Sequence, residues 1–429
     1  LEGTTLESAL VYENLSRGAP GPSEFQQQYD RAHVDSNRTI ATLGARHRGL
    51  ASGSWGLLDL HADAGYVRRG LSYTNPDAFM GGRSFESDAL QHAGSAVARL
   101  SGFFDAGHIA HLTVEGRTEH YRATASADGG SELTADRQTV GLGLSDEWLI
   151  FDDRVSLVGG LRAEVVDGRR GLEVPVMPAG GVVWRALPWM DVKTNVGVSH
   201  RTPDFDGLYL QTEGVRGNPD LQPERATNWD VGVDFHPSDF PLSGRLTGFF
   251  SSIRRTILFL PQTAYRIAAE NLEGARAGGL EARAALAFEP RFRLGAAYTW
   301  TEAHLTDSPR TQLPHRPRHR AQLSSRAEFA GLGPLEALHS LELTAGADVR
   351  SRVNLGNFGN LTNPPFWRLD LGLTVAPTRT VAFGLKARNL TNNTKGADSL
   401  QRPLPGRAFF ASFTVGDGRP KQSSSEVSP

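Results

Sequence analysis

Segments of roughly ten residues in which apolar and polar side chains alternate recur along the whole chain. Between Phe292 and Trp300, for example, every second residue is apolar, whereas the residues between them are small or polar. Successive side chains of a β-strand point to opposite faces, so each segment predicts a ribbon with one apolar and one polar face. The connecting loops are alternately short and long, and no helical period interrupts the series. This pattern is typical of a transmembrane β-barrel, whose strands turn apolar side chains to lipid and polar side chains to the lumen.

The composition agrees with a barrel. Hydrophobic residues make up 39% of the 429 residues, and the mean hydropathy is −0.34. No run approaches the about 18 apolar residues that a spanning helix needs. A soluble chain of this length would normally divide into about two or three domains, but no linker or composition shift divides this one. A soluble antiparallel sandwich or propeller is the alternative, although no blade repeat is visible.

Charge and cysteine content exclude several function classes. The net charge of −2 and the pI near 6.7 argue against a nucleic-acid partner. The absence of cysteine excludes a disulfide framework, a thiolate metal site and a cysteine nucleophile. From the sequence we expect that the protein is not an enzyme and that it has no cofactor and no metal site.

The loop pattern predicts the architecture. Long loops number about nine, which predicts about eighteen strands in an antiparallel up-and-down barrel. The barrel is expected to occupy residues 1–416, and residues 417–429 form a polar C-terminal tail. A short turn is expected at Arg48–Ser52. Closure of the barrel by this chain alone would require Leu6–Val11 to pair with Ala408–Thr414; without that pairing, two bare strand edges remain.

Residue parity assigns the two faces of each strand. Leu369, Leu371 and Leu373 share one parity and are expected to face lipid, whereas Arg368 and Asp370 are expected to face the lumen. A slip of one residue would turn the charged side chains onto lipid, so the register must be tightly specified.

One segment goes beyond a pattern. Residues 198–235 read VSHRTPDFDGLYLQTEGVRGNPDLQPERATNWDVGVDF. This segment resembles TonB-dependent outer-membrane receptors, in which a strand ends in Arg-x-Pro and a Gly-Asn-Pro-x-Leu-x-Pro-Glu loop opens the next strand. The matching residues are Arg201, Pro203, Phe205, Leu208, Tyr209, Gly217, Asn218, Pro219, Leu221, Pro223 and Glu224.

A second segment, residues 386–413, resembles the ending of the same family. It reads KARNLTNNTKGADSLQRPLPGRAFFASF, in which Pro-Gly-Arg opens the last strand. The matching residues are Asn389, Leu390, Asn392, Pro403, Pro405, Gly406 and Arg407. The two segments occur in the family's order and at its separation. Arg17–Phe25 also resembles receptors of the vitamin B12 type.

The resemblance implies a function. The family takes up scarce, bulky nutrients such as iron–siderophore complexes or cobalamin across the outer membrane of Gram-negative bacteria. A plug domain gates the lumen, and the TonB–ExbB–ExbD system acts through that plug. Outer-membrane lipid and lipopolysaccharide are the implied surroundings. The family's barrel has about twenty-two strands. The plug and roughly four strands are therefore expected upstream of Leu1 or from a partner chain.

The motif residues have an elementary structural explanation. Pro219 and Pro223 cannot donate a hydrogen bond to a neighbouring strand, so they stop a long loop from continuing as sheet. Asn218-Pro219 and Leu404-Pro405-Gly406 are turn sequences that set where the following strand begins. We therefore interpret the motif residues as determinants of fold and loop shape. The residues that contact the transported nutrient show no pattern in the sequence.

Other groups suggest different chemistry. Asp59, His61 and Asp63 share a strand face and could form a catalytic cluster, although polar side chains are the usual lining of a barrel. His200 lies close in sequence to Asp204 and Asp206, whose carboxylates could also bind Ca²⁺. An Arg- and His-rich run could instead bind an anionic ligand or lipopolysaccharide phosphate. Its residues are Arg310, His315, Arg316, Arg318, His319 and Arg320.

Two functions therefore compete. The first is TonB-energised uptake through a plugged barrel. The second is a plugless barrel that acts as a passive porin or a surface adhesin.

Overall fold

A computed structural model describes most of the chain as one antiparallel sheet. The described residues are 3–19, 31–77, 84–125, 132–212, 215–263, 266–288, 291–306, 312–330, 338–355, 362–396 and 404–416. The elements in chain order are β1 (Thr4–Gly18), β2 (His33–Gly53), β3 (Gly56–Asn75), β4 (Phe85–Phe104), β5 (His108–Ala125), β6 (Glu132–Ile150), β7 (Val155–Gly168), β8 (Gly171–Glu173), β9 (Val176–Leu187), β10 (Met190–Arg201), α1 (Phe205–Tyr209), β11 (Val215–Arg216), β12 (Glu224–Phe235), β13 (Leu242–Arg254), β14 (Ile257–Thr263), β15 (Arg266–Asn271), β16 (Gly274–Phe288), β17 (Phe292–Leu305), β18 (His319–Phe329), β19 (Ser340–Arg350), β20 (Val353–Asn354), β21 (Thr362–Asn363), β22 (Phe366–Ala376), β23 (Val381–Arg388) and β24 (Ala408–Val415).

The sheet is a meander of long strands. Nineteen strands belong to it, and the short β8 is a side strand that pairs with β7. The other strands, β1–β7, β9, β10, β12, β13, β16–β19 and β22–β24, each pair antiparallel with the next along the chain. The predicted antiparallel barrel sheet of about eighteen strands is confirmed. Within the described ranges, no helix is long and apolar enough to cross a membrane.

The register confirms the predicted alternation of faces. Leu371 lies opposite Ala345 and Ala387, so apolar side chains neighbour one another on one face. Arg368 lies opposite Asp348 and pairs with Asp370 at 3.2 Å on the other face. On the apolar face, many large hydrophobic side chains are exposed and are not covered by other described residues. We call the polar face the lumen face and the apolar face the outer face.

The first and last strands carry the two edges of the sheet. Within the described ranges, β1 pairs with β2 alone and β24 pairs with β23 alone. The pairing of Leu6–Val11 with Ala408–Thr414 that closure would require is therefore not formed there. Each edge strand presents a row of backbone N–H and C=O groups that can pair with a further strand.

The predicted turn at Arg48–Ser52 is wrong by a few residues. The strand continues through it, and the turn lies at Ser54 and Trp55. A β-bulge shifts the register between His47 and Ala51. Gly49, at a φ of 68°, donates its N–H to Asp59 Oδ1 at 2.9 Å. The glycine adopts a left-handed conformation without steric cost, so a sequence that suggests a turn forms a bulge instead.

Two small sheets lie in the long loops. β14 and β15 form a hairpin, and β11 adds to β15 in parallel. β20 and β21 pair antiparallel in the loop between β19 and β22. These loops join the ends of the long strands that are opposite to the short turns. In outer-membrane barrels the longer loops lie at the extracellular end, so this end of the sheet corresponds to the extracellular end of the predicted barrel.

Candidate functional site at the mouth of the lumen

The loop between β10 and β12 folds back onto the lumen face. Its first turn is the short helix α1, which begins after Asp204. The Asp204 carboxylate caps the helix by accepting a hydrogen bond from the Gly207 N–H at 2.6 Å. A carboxylate at this position satisfies an N–H that has no partner within the helix. The cap positions the next two aromatic side chains, Phe205 and Tyr209, on one side of the turn.

These aromatic side chains bury a tyrosine of the barrel wall. Tyr121 of β5 is 1% exposed, and Phe205 and Tyr209 are 4% and 5% exposed. The Tyr121 and Phe205 rings stack with centroids 5.2 Å apart, and the Tyr121 and Tyr209 centroids lie 5.9 Å apart. A fully buried aromatic contact is unusual on a lumen face that is otherwise lined by polar groups. It fixes the loop to the wall.

A buried ion pair supports the aromatic contact. Glu119, two residues before Tyr121, is 3% exposed and accepts hydrogen bonds from Arg137 at 2.8 Å and Arg117 at 2.7 Å. Arg137 donates through Nη1 to the Pro203 carbonyl at 2.7 Å, and its guanidinium lies 4.7 Å from the Phe205 ring centroid. Arg137 therefore joins the wall to the loop by a charge-assisted hydrogen bond and a cation–π contact.

A second ion pair ties the loop to another strand. Arg69 of β3 pairs with Asp206 of α1 at 2.7 Å. The buried Tyr121 hydroxyl has no hydrogen-bond partner among the described residues.

A small cavity lies between the loop and the wall. It has a volume of about 90 Å³ and is lined by residues that include Asp88, Tyr121, Tyr209 and Gln211. A water molecule occupies about 30 Å³ in the liquid. The cavity therefore suits a few waters and is too small for a bulky nutrient.

The second half of the loop is held by its own backbone and by Asn271. Gly217 packs so closely that a Cβ atom there would lie 2.5 Å from the Tyr209 nitrogen. Asn218 accepts a hydrogen bond from the Asp220 N–H at 2.9 Å, which forms a turn around Pro219. Leu221 is 1% exposed. Asn271 donates to the carbonyl oxygen of residue 222 at 2.9 Å.

The ends of the motif meet each other. Arg201 pairs with Glu224 at 3.1 Å across β10 and β12. Glu224 also accepts the Ile257 N–H at 2.5 Å, which fixes the start of the β14 hairpin. Leu208 packs on the aromatic cluster, and Pro223 is half-buried.

The second motif forms a compact turn between β23 and β24. Asn389 is 3% exposed and has a φ of 50°. Its side chain donates to the Pro405 carbonyl at 3.1 Å, and its N–H donates to Asp370 Oδ1 at 2.8 Å. Asn392 accepts the Arg407 N–H at 2.9 Å.

The rest of this motif surrounds the turn. The Leu390 N–H donates to the Leu369 carbonyl at 2.8 Å. Gly406 approaches Asn392 so closely that a Cβ atom there would lie 2.9 Å from Asn392 Oδ1. Pro403 lies outside the described residues.

Of the acidic and histidine groups suggested for catalysis or Ca²⁺ binding, only the first lies together on one face. Asp59, His61 and Asp63 do share the lumen face, and His61 lies 3.3 Å from Asp63. Asp204 caps α1, whereas Asp206 pairs with Arg69, so the two carboxylates serve different partners. Within the described ranges, no group of three or more His, Asp or Glu side chains could hold a metal ion.

The residues of the Arg- and His-rich run have different surroundings, since some pair with acidic side chains and others are exposed. Arg310 lies outside the described residues. Arg318 pairs with Glu302 at 2.7 Å, and Arg320 pairs with Asp348 at 2.9 Å. His315, Arg316 and His319 are exposed.

The wall residues of the mouth were missed by sequence reasoning. Tyr121, Glu119, Arg137 and Arg69 lie in ordinary alternating strands, and no local motif marks them. The alternation along each strand predicted only that these side chains face the lumen.

Comparison with known proteins identifies the class. The family model for the TonB-dependent receptor-like β-barrel matches residues 3–390. The chain belongs to the TonB-dependent receptor β-barrel family. The match also covers residues 3–197, which precede both motif segments. No curated protein matches the chain.

Solved structures of a copper transporter and of two receptors for ferric complexes share the fold. The copper transporter OprC superposes with a TM-score of 0.76 at 17% identity, covering 96% of this chain and 69% of that chain. BauA, the ferric preacinetobactin receptor from Acinetobacter baumannii, gives 0.71 at 14% identity, covering 97% and 73%. Fiu, the ferric-catecholate import receptor from K12 E. coli, gives 0.70 at 16% identity, covering 96% and 72%. At these identities the likeness establishes the fold.

Proposed function

We propose that the chain forms the wall and mouth of an outer-membrane receptor that takes up a scarce, bulky nutrient. An iron–siderophore complex, cobalamin or a similar small-molecule complex is the proposed cargo. A plug segment upstream of Leu1, or on a partner chain, gates the lumen, and TonB–ExbB–ExbD supplies energy through that plug. Residues 1–416 are the barrel, and residues 417–429 are a polar tail. The protein acts as a transporter in a Gram-negative outer membrane and not as an enzyme.

One observation supports this proposal most strongly. Residues 3–390 match the receptor barrel family, and the described strands of that range form a sheet whose lumen face carries most of the charged side chains. Ion pairs line that face, for example Arg137 with Glu119 at 2.8 Å and Lys193 with Asp234 at 2.5 Å. A polar wall allows a hydrated cargo to pass, whereas an apolar face toward lipid holds the barrel in the bilayer.

The motif residues are proposed to shape loops and not to contact cargo. Replacing Asn389 with Ala removes a side chain that donates to two carbonyl groups and accepts from two further groups. We expect a lower yield of assembled barrel but unchanged uptake per assembled molecule. Uptake that falls while the yield stays constant would show that Asn389 acts on the cargo.

Energised uptake separates the proposed function from a passive porin and from an adhesin. Cells with and without the gene are given ⁵⁵Fe-labelled ferric siderophores or ⁵⁷Co-labelled cobalamin, before and after a protonophore. We expect saturable, gene-dependent uptake of one label that the protonophore stops. Uptake that rises linearly with concentration and survives the protonophore would establish a porin. Cell attachment without uptake of either label would establish an adhesin.

A further inference from the structure

Three arginines form a patch on the outer face, near the extracellular ends of three consecutive strands. Arg225 of β12 lies directly opposite Arg254 of β13. Arg276 of β16 lies opposite Ser252, the next residue of β13 on the same face as Arg254. All three side chains are exposed. We call these residues the arginine patch.

Among the described residues, the patch has no negative partner. Within the described ranges, no ion pair includes Arg225, Arg254 or Arg276. The nearest outer-face acid on β17 is Glu302, which is already paired with Arg318 at 2.7 Å. Like charges directly opposite each other on neighbouring strands destabilise a sheet. An anion from outside the chain would relieve this repulsion.

Arginines on the lumen face of the same region behave differently. Arg245 of β13 pairs with Asp234 at 2.5 Å, and Arg283 of β16 lies 3.7 Å from Glu281. Both strands thus carry a paired arginine inside and an unpaired arginine outside. The contrast indicates that the missing partner lies in the surroundings of the outer face.

The position of the patch along the membrane normal identifies those surroundings. Trp229, Phe250 and Leu280 lie on the same face, four residues nearer the membrane centre, and they are 51%, 45% and 46% exposed. Four residues span about 13 Å along a strand, which is about 10 Å along the membrane normal at the usual strand tilt. Aromatic residues mark the edge of the hydrocarbon layer. The patch therefore lies at the level of lipid headgroups in the outer leaflet.

We propose that the arginine patch binds the phosphate groups of an anionic glycolipid of the outer leaflet, the lipid A part of lipopolysaccharide. Arginine presents a planar fork of N–H donors that matches phosphate oxygens in a bidentate manner. Acyl chains of the same lipid cover Trp229 and Phe250 below. The inference rests on the outer-membrane placement in the proposed function and adds a specific lipid site to it.

The test measures binding of purified lipid A to the full chain in a neutral detergent. Bisphosphorylated lipid A is compared with the same lipid after removal of both phosphates. We expect the combined R225Q, R254Q and R276Q variant to bind bisphosphorylated lipid A at least about 10-fold more weakly. Lysine at all three positions should restore part of the affinity, since the positive charge remains but the fork does not.

A matched pair on β16 controls for charge and for folding. R276Q, on the outer face, should weaken binding by about 3-fold or more, whereas R283Q, on the lumen face, should change it by less than about 2-fold. Heat-modifiable gel mobility verifies that each variant is assembled. Equal binding of both lipid forms, or equal effects of R276Q and R283Q, would overturn the site. Phosphate-dependent binding in a protein that supports no uptake would leave the site standing and refute the transport function.

Discussion

The contact between Arg137 and the loop that joins β10 to β12, here called the mouth loop, gives the most specific local prediction. The R137Q variant removes a charge-assisted hydrogen bond to Pro203 and the cation–π contact with Phe205. A hydrogen bond to a charged group contributes about 1.5–3 kcal/mol, and a desolvated cation–π contact about 1–2 kcal/mol. Since the Arg137 side chain is only 13% exposed, we expect the loop to open more easily by about 3–4 kcal/mol. At 1.4 kcal/mol per factor of ten, opening becomes about 10²–10³ times more frequent.

Hydrogen exchange of the assembled barrel measures this opening directly. The N–H groups of Gly217 and Asn218 donate to Leu210 and Gly207 within the loop, so their exchange reports its opening. Peptides from β16 and β17 should not change. The matched control is R117Q, because Arg117 pairs with the same Glu119 carboxylate but is half-exposed and, among the described residues, forms no hydrogen bond or ion pair with the loop. R117Q should accelerate loop exchange by less than about 10-fold. Equal acceleration by both variants, or none by R137Q, would refute the reasoning.

Three further predictions concern the membrane face, the loop and pH. L371R should impair assembly far more than D370N in heat-modifiable gels, because an arginine at the bilayer midplane costs about 2–4 kcal/mol; equal effects would contradict the assigned parity. G217A should make the mouth loop sensitive to protease, since its Cβ atom would lie 2.5 Å from a backbone nitrogen; an unchanged digestion pattern would contradict the close packing. The hydrogen bond from Arg31 lowers the pKa of Asp77. The stabilisation by this ion pair is therefore fully present above the ordinary aspartate pKa and is lost as the pH falls through the lowered pKa. An Asp77 carboxyl that titrates normally by NMR would contradict that pairing.

The faces of the strands were predictable because the signal is local. In β22, alternation of Leu369 and Leu371 with Arg368 and Asp370 gives the parity within a few residues, and the register confirms it. The turn after β2 was misplaced because Gly49 suits both a turn and a bulge. The choice between them depends on a hydrogen bond from Gly49 to Asp59, on the next strand.

The mouth of the lumen could be predicted only in part. The motif around Arg201 and Glu224 was recognised from residues that are close in sequence. Its docking site was not, because Tyr121 lies more than eighty residues before α1 and its own strand contains only ordinary alternation. Arg137 and Pro203 are 66 positions apart. Contacts at such separations depend on how the loop folds over the finished sheet, which no local pattern encodes.

We propose that this chain supplies a polar-lined pathway and that a plug segment gates it. The most direct test is the ion conductance of the 429-residue chain, expressed alone and inserted into planar bilayers. Side chains fill a barrel interior only up to about eight strands, so a closed barrel with this many strands has a wide lumen. We predict that inserted molecules conduct ions and that the conductance falls when the plug segment is supplied. A stably inserted chain that is impermeable to ions without any plug would mean that its own loops seal the lumen, and it would contradict the account.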